Sequence, residues 1–302
     1  DPDWCDLRSN LSALHRIPAE QILCGNGSME LIACLTLAFA AEGAGVLAPA
    51  HAYPFFKTAA RVARARFDTA PETTAGVSVD AMLDALRPDT RLVFIANPGN
   101  PTGTRIPRDE LLRLRNGLPD HVLLVIDEAY GEFADHLGEQ MFDLVGRGDT
   151  VILRTFSKAY GLAGLRIGWG RVPSAIGAEI RKVMNPNNIS AAAQAAAAAA
   201  VCDADYMQET CMMTAQSRDG FITRLRDAGF MVPESFTNFA LVRFDSAETA
   251  HAVDAWLRSD GVVARPQGGA GLPDCLRITV GTADELDRAA GLMERWAQRE
   301  VT

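Results

Sequence analysis

Apolar and polar positions come in alternating blocks along the first two hundred residues, with short continuous apolar runs giving way to longer stretches of helical spacing. Residues 6–16 predict a short helix. Gln21-Ile22-Leu23-Cys24 is a brief apolar run that ends in Gly25-Asn26-Gly27-Ser28. Residues 30–41 are apolar on nearly every side, which predicts a buried helix. Val46-Leu47-Ala48 reads as a strand stopped by Pro49, residues 54–65 and 80–86 as helices, and residues 92–96 as the next strand. A helix with proline at its start follows at 107–116. Residues 121–126, 151–153 and 165–170 read as strands. The first of these is a continuous apolar run of the kind buried on both faces. Such alternation predicts an α/β fold, with a mostly parallel central sheet flanked by helices.

From Ser190 to Val201 the chain is nearly all alanine, the best helix former. The run predicts one long connecting helix that starts at 190 and continues towards Arg226. After Gly229 the texture changes. Strands at 239–244, 262–265 and 276–280 surround a helix at 248–259, and a last helix covers 283–299, together predicting a smaller α+β domain. The expected division is a large domain at 20–210 and a small C-terminal domain at 211–302, with residues 1–19 packing on the small one. No internal repeat or long linker is visible. The chain opens on Asp1-Pro2-Asp3-Trp4 without methionine, so a preceding segment is expected.

Composition narrows the function classes. The 302 residues suffice for one large domain and a smaller one, and 48% hydrophobic content supplies a sizeable core. A net charge of −9 argues against a nucleic-acid surface, which is normally basic. The six cysteines include no C-x-x-C pair and have no histidine cluster beside them, so reduced, mostly buried thiols and no metal are expected. No apolar run reaches the roughly 18 residues that span a bilayer, and no signal peptide is visible. No membrane association and a cytoplasmic location are expected.

Four stretches carry candidate chemistry. In Gly25-Asn26-Gly27-Ser28, glycines precede a helix start, where free backbone N–H groups and the helix dipole suit a phosphate; alone the signal is weak, and an ordinary tight turn with Ser28 as N-cap is the commoner reading. The loop Asn97-Pro98-Gly99-Asn100-Pro101-Thr102-Gly103-Thr104 follows a buried strand, at the edge where open α/β sheets bind ligands. Asn100 there offers an amide donor, although a structural turn would also use a capping asparagine. In Asp127-Glu128-Ala129-Tyr130, a carboxylate at the end of a buried strand is costly unless paired, and a protonated pyridine nitrogen would suit it. Tyr130 follows three residues later. The bland alternative is a capping aspartate and a core tyrosine. In Arg154-Thr155-Phe156-Ser157-Lys158, the lysine stands among Phe156, Ala159, Tyr160 and Leu162. Burial there would lower its pKa and free the amine as a nucleophile. Thr155 and Ser157 add hydroxyls, and Arg166 adds a guanidinium fork for a phosphate. A lone lysine after a strand is otherwise a solvated one. No G-x-G-x-x-G follows the early strand, which sets a hydride-transfer enzyme aside.

Taken in order, these stretches resemble the fold-type I pyridoxal-phosphate (PLP) enzymes of the class I/II aminotransferase group. Within that group the chain is most similar to the histidinol-phosphate aminotransferase family, from Asp1-Pro2-Asp3 to Leu276-Arg277-Ile278-Thr279-Val280-Gly281. The resemblance implies that Lys158 holds PLP as a Schiff base and moves the proton of a ping-pong transamination. It implies that Asp127 pairs with the pyridinium nitrogen, and that Tyr130 and Asn100 bond the phenolic oxygen. The backbone of Gly27, Ser28 and Met29, the hydroxyls of Thr155 and Ser157, and Arg166 would hold the phosphate. The ring-stacking position falls at His51, with Tyr53 as fallback. Arg277 and Arg265 match arginines that face the substrate's anionic group. Met29 stands where the family often has aspartate, and Gly99 where it often has asparagine. The implied partners are histidinol phosphate as amino donor and 2-oxoglutarate as acceptor, with a homodimer as the assembly. An aromatic amino-acid aminotransferase and a threonine-phosphate decarboxylase-like enzyme are the alternatives on this scaffold.

Overall fold

The computed structural model describes residues 1–73 and 76–299. The chain begins with α1 (Cys5–His15), β1 (Ile22–Gly25), α2 (Ser28–Phe39), β2 (Gly45–Pro49), α3 (Pro54–Val62) and β3 (Arg66–Ala70). A small antiparallel pair, β4 (Glu72–Thr73) and β5 (Gly76–Val77), precedes α4 (Val79–Asp84) and β6 (Thr90–Ala96). Then come α5 (Arg108–Gly117), β7 (Leu123–Asp127), α6 (Gly131–Ala134), β8 (Thr150–Thr155), β9 (Gly168–Arg171) and α7 (Ser174–Val183).

Seven of these strands form one sheet in the order β1-β9-β8-β7-β6-β2-β3. Neighbours from β8 to β3 are parallel, and β9 alone runs against both β8 and β1. The carboxyl ends of β1, β2, β6, β7 and β8 therefore share one edge with the amino end of β9. Every residue of β2, β7 and β8 is buried, so both faces of the sheet are covered, as mostly parallel sheets require. The fold is the α/β arrangement expected, with two strand details corrected. The strand expected at 165–170 lies at Gly168–Arg171, and the polar β3 went unpredicted.

The alanine run forms α8 (Ala191–Cys202), and a separate α9 (Ala204–Asp227) follows, where one continuous helix was expected. The break comes at Asp203, whose Oδ1 accepts the N–H of Tyr206 and caps α9. Beyond α9, β10 (Phe239–Arg243), α10 (Ala247–Ser259), β11 (Arg265–Gln267), β12 (Leu272–Thr279) and α11 (Ala283–Arg299) build an antiparallel three-stranded sheet with helices. The strand expected at 262–265 begins only at Arg265, and that expected at 276–280 starts earlier, at Leu272. One apolar core runs from Trp4 to Val201 around the large sheet, and a second runs from Phe221 to Met293 around the small one. The expected boundary at 210/211 falls inside α9, and residues 300–302 of the expected small domain lie outside the described residues.

Residues 1–19 do not pack on the small domain. Trp4, Leu7, Leu11 and Ile17 are buried in the large core, with α1 lying against α8 and β1. Leu7 and Leu11, one helical turn apart, present the apolar stripe, and the alanines of α8 let it approach closely. Asn10 fastens the pair by donating to the carbonyl of Ala198 at 3.1 Å.

Candidate active site

At the shared edge the structure brings Ser28, Met29, Tyr53, Asn100, Asp127, Tyr130, Thr155, Ser157, Lys158 and Arg166 around one cavity. Ser28 and Met29 come from the first turn of α2, Arg166 from just before β9, and the others from a strand's carboxyl end or the loop after it.

One wall is an anion cradle. Gly27 caps α2 at φ 76°, leaving the first N–H groups of the helix without helical partners. Glu30 Oε2 accepts from the N–H of Asn26 and from Asn188 Nδ2, both at 2.6 Å, which pins the turn. Gly168 allows β9 to pass close by, since a Cβ there would lie 2.4 Å from the nitrogen of Ser28. Arg166 sits in the left-handed region at φ 54°, which costs energy for a non-glycine residue, and its Nη1 donates to the carbonyl of Ala163 at 2.8 Å. A Cβ on Gly27 would lie 2.7 Å from Arg166 Nη2, so the glycine makes room for the guanidinium. Thr155 Oγ1 donates to Ser157 Oγ at 3.0 Å, setting both hydroxyls side by side.

The floor carries the acid–base groups. Asp127, at the end of β7, is 3% exposed and its Oδ1 has no hydrogen-bond partner. Burial pushes its carboxyl up to about 7, with Glu128 reinforcing this and the amide of Ala129 and Lys158 opposing it. A buried carboxylate with one orphaned oxygen suits a protonated ring nitrogen. Lys158 lies on the turn after β8. Burial lowers its pKa first, and Arg277, Arg265 and Arg166 add to that against the pull of Asp127. Its Nζ stands 5.4 Å from the centre of the Tyr130 ring. Burial pushes the Tyr130 phenol up to about 12.

The loop after β6 is fixed from both ends. Asn97 Nδ2 donates to the carbonyl of Ile106 at 3.2 Å, and its Oδ1 accepts the Ile106 N–H at 2.8 Å. Asn100 Oδ1 accepts from Arg277 Nη1 at 2.6 Å, which joins the loop to β12. Arg277 lies over Phe239 at 4.7 Å, and its buried Nε lacks a partner. Arg265 is exposed and pairs with Arg277 across β11 and β12; neither lines the cavity itself, but the two cations stand close enough to repel each other and to act on Lys158. An anion would relieve that repulsion.

One expectation is corrected. His51 does not line the cavity: its Nδ1 donates to the carbonyl of Ala270 at 2.9 Å, and its backbone N–H is held by Glu72. Tyr53, one residue before α3 begins, lines the cavity instead. The sequence reading also missed the partners of Arg154. The available signal was a charged residue inside the buried strand Thr150–Thr155, a place where a cation must find carboxylates.

The sequence profile of the family "Aminotransferase class I and II" matches residues 4–292. Histidinol-phosphate aminotransferase of Jannaschia sp. is 41% identical over 286 residues, covering 95% of this chain and 79% of its own length. The protein of the same name from Paramagnetospirillum magneticum is 43% identical over 286 residues, 93% of this chain and 78% of its own. The crystal structure of histidinol-phosphate aminotransferase from Sinorhizobium meliloti in complex with pyridoxal-5'-phosphate superposes with a TM-score of 0.93 at 30% identity, covering 100% of this chain and 83% of that one. The chain belongs to the class I and II aminotransferases. It is thus a PLP-dependent transaminase, taking an amino donor and a keto acid.

Proposed function

We propose that the chain is a histidinol-phosphate:2-oxoglutarate aminotransferase of histidine biosynthesis. The observation that carries the substrate reading is its 41% and 43% identity to relatives of that name over more than nine tenths of its length. A homodimer in the cytoplasm is the accompanying proposal. Exposed Tyr206, Met212 and Met213 on α9 offer apolar surface for a second copy.

PLP, when bound, supplies an electron sink that lets the Cα–H bond of an amino substrate break. Lys158 Nζ would hold the cofactor's aldehyde carbon and, once free, would take the proton from substrate Cα. Its burial and three nearby arginines lower the pKa of that nitrogen, which favours the free amine. Asp127 would accept the ring N–H, Tyr130 and Asn100 would face the phenolic oxygen, and Tyr53 would lie against the ring. The N–H groups of Ser28 and Met29, with Thr155, Ser157 and Arg166, would hold the phosphate, while the N–H of Gly27 is spent on the carbonyl of Gly25 at 2.8 Å. Arg277 would receive the phosphate of one substrate and the carboxylate of the other, which a guanidinium fork suits equally.

Two substitutions probe these assignments. Gly168→Ala forces a Cβ against the backbone of Ser28 and should weaken PLP binding about tenfold, a loss of ~1.4 kcal/mol. A cofactor titration with wild-type affinity would remove Gly168 from the cradle. Arg277→Ala removes a charge-assisted bond and should raise KM roughly tenfold or more; an unchanged KM would move the anion site elsewhere. The substrate is tested by single-turnover absorbance of the PLP-loaded protein with histidinol phosphate, phenylalanine and threonine phosphate in separate mixes. Rapid conversion by histidinol phosphate alone supports the proposal. Phenylalanine as fast or faster would make this an aromatic aminotransferase, and release of CO2 from threonine phosphate would make it a decarboxylase.

A further inference from the structure

Arg154 carries a fully buried guanidinium, held by carboxylates, that the proposed chemistry does not use. Its side chain is 1% exposed, in a strand that is otherwise Thr-Val-Ile-Leu before it and Thr after it. Nε and Nη2 donate to Glu128 Oε2 at 3.0 and 2.8 Å. Nη1 and Nη2 donate to Asp135 Oδ2 and Oδ1 at 2.6 and 2.7 Å, and Glu132 Oε1 lies 3.5 Å from Nη1. The Phe142 ring covers the guanidinium at 5.0 Å. Gly131 makes room for it, since a Cβ there would meet Arg154 Cζ at 2.8 Å.

Three carboxylates around one buried cation are a poor way to gain stability, because well-packed apolar side chains fill such a volume at lower cost. The network's position in the chain gives it another role. The β7–β8 ladder ends with Asp127 opposite Leu153. Beyond that pair, the strand ends are joined by the N–H of Glu128 donating to the carbonyl of Leu153 and by the Arg154–Glu128 bonds. Glu128 directly follows Asp127. Arg154 directly precedes Thr155 and stands four residues before Lys158. Glu132 and Asp135 tie the same guanidinium to α6 and the turn after it, just past Tyr130.

We propose that Arg154 is a positioning residue. Its bonds to Glu128, Glu132 and Asp135 hold the Asp127–Tyr130 segment and the Thr155–Lys158 segment at a fixed separation, so that both meet one cofactor. This rests on the roles proposed above for Asp127 and Lys158. Displacing reacting groups by about 1 Å can cost on the order of 100-fold, so such a clamp need move little to matter.

The test compares the full-length wild type with Glu128→Gln, Arg154→Lys and Arg154→Met, each stripped of cofactor and titrated with PLP. Three readings are taken: the dissociation constant, the midpoint pH of the visible band, and thermal unfolding of the stripped protein. The expected result is a dissociation constant raised in both Glu128→Gln and Arg154→Met, about tenfold or more in the latter, with Arg154→Lys restoring part of it. Wild-type affinity in Glu128→Gln and Arg154→Lys, with only the unfolding temperature lowered, would overturn the proposal in favour of plain structural support. Unchanged affinity with midpoints shifted in opposite directions would also overturn it, because removing a carboxylate and removing a cation act oppositely through space. Wild-type protein that forms no Lys158-dependent band at all would sink the functional reading itself, and this inference with it.

Discussion

Lys158→Ala is expected to keep its fold, to lose the visible absorbance band of the bound cofactor, and to fall at least about 10³-fold in amino transfer. The size follows from one nitrogen doing two tasks, as covalent anchor and as the base at substrate Cα. The small effect on folding follows from the side chain's surroundings. Lys158 is only half-buried, lies on a turn, and has the Tyr130 ring 5.4 Å from its Nζ. Truncating it leaves no buried partner stranded, and burial already works against its charge. Circular dichroism and thermal unfolding should match wild type while the spectrum and the rate collapse. A variant that still formed the band and turned over amino donors would end the assignment.

Asp127→Asn should separate activity from stability in opposite directions. Turnover should drop on the order of 100-fold or more, because an amide at this position no longer stabilises a protonated ring nitrogen as a carboxylate does. The cofactor-free protein should become more stable. The folded carboxyl is pushed up to about 7, from an ordinary value of 3.8. Below pH 3.8 the folded and unfolded chains both carry the proton and the group is neutral to stability. Between there and about 7 the unfolded chain ionises first, so stability falls as pH rises, and above about 7 the full penalty stays. It is of the order of a few kcal/mol. The asparagine variant lacks it, so its advantage should widen from pH 4 to about 7 and then level off. Urea unfolding of both stripped proteins at acid and alkaline pH measures this. A variant less stable than wild type at pH 8 would show that the Ala129 amide and Lys158 outweigh the burial of the charge.

What the sequence revealed and what it hid follow from where each residue's partners lie. The Leu123–Asp127 strand was legible because burial on both faces leaves a continuous apolar run with a single carboxylate at its end. Lys158 was legible because hydroxyls and glycines surround it in sequence. β3 was hidden because its charges find partners only in space. Arg66 binds Asp89 at 2.8 Å and Asp68 at 2.9 Å, so the strand reads as polar loop. α7 escaped because its buried side comes down to Ile176, Gly177 and Ile180. The choice between His51 and Tyr53 depended on the carbonyl of Ala270, more than two hundred residues away, which no local pattern reports. The same holds for α1, whose docking is decided by the small side chains of α8.

The loop at residues 97–104 has an implication for engineering. It belongs to the large sheet by chain order, yet the N–H of Phe236 donates to the carbonyl of Gly103 at 2.8 Å, and Arg277 reaches Asn100. A Cβ on Gly103 would lie 2.7 Å from Ser235 Oγ, so the fit there is made between two stretches more than a hundred residues apart. A chimaera that replaces everything after α9 with the matching half of a relative would inherit mismatched halves of this seam. Substrate preference can be transplanted between such enzymes only if the loop travels with the C-terminal half as one cassette.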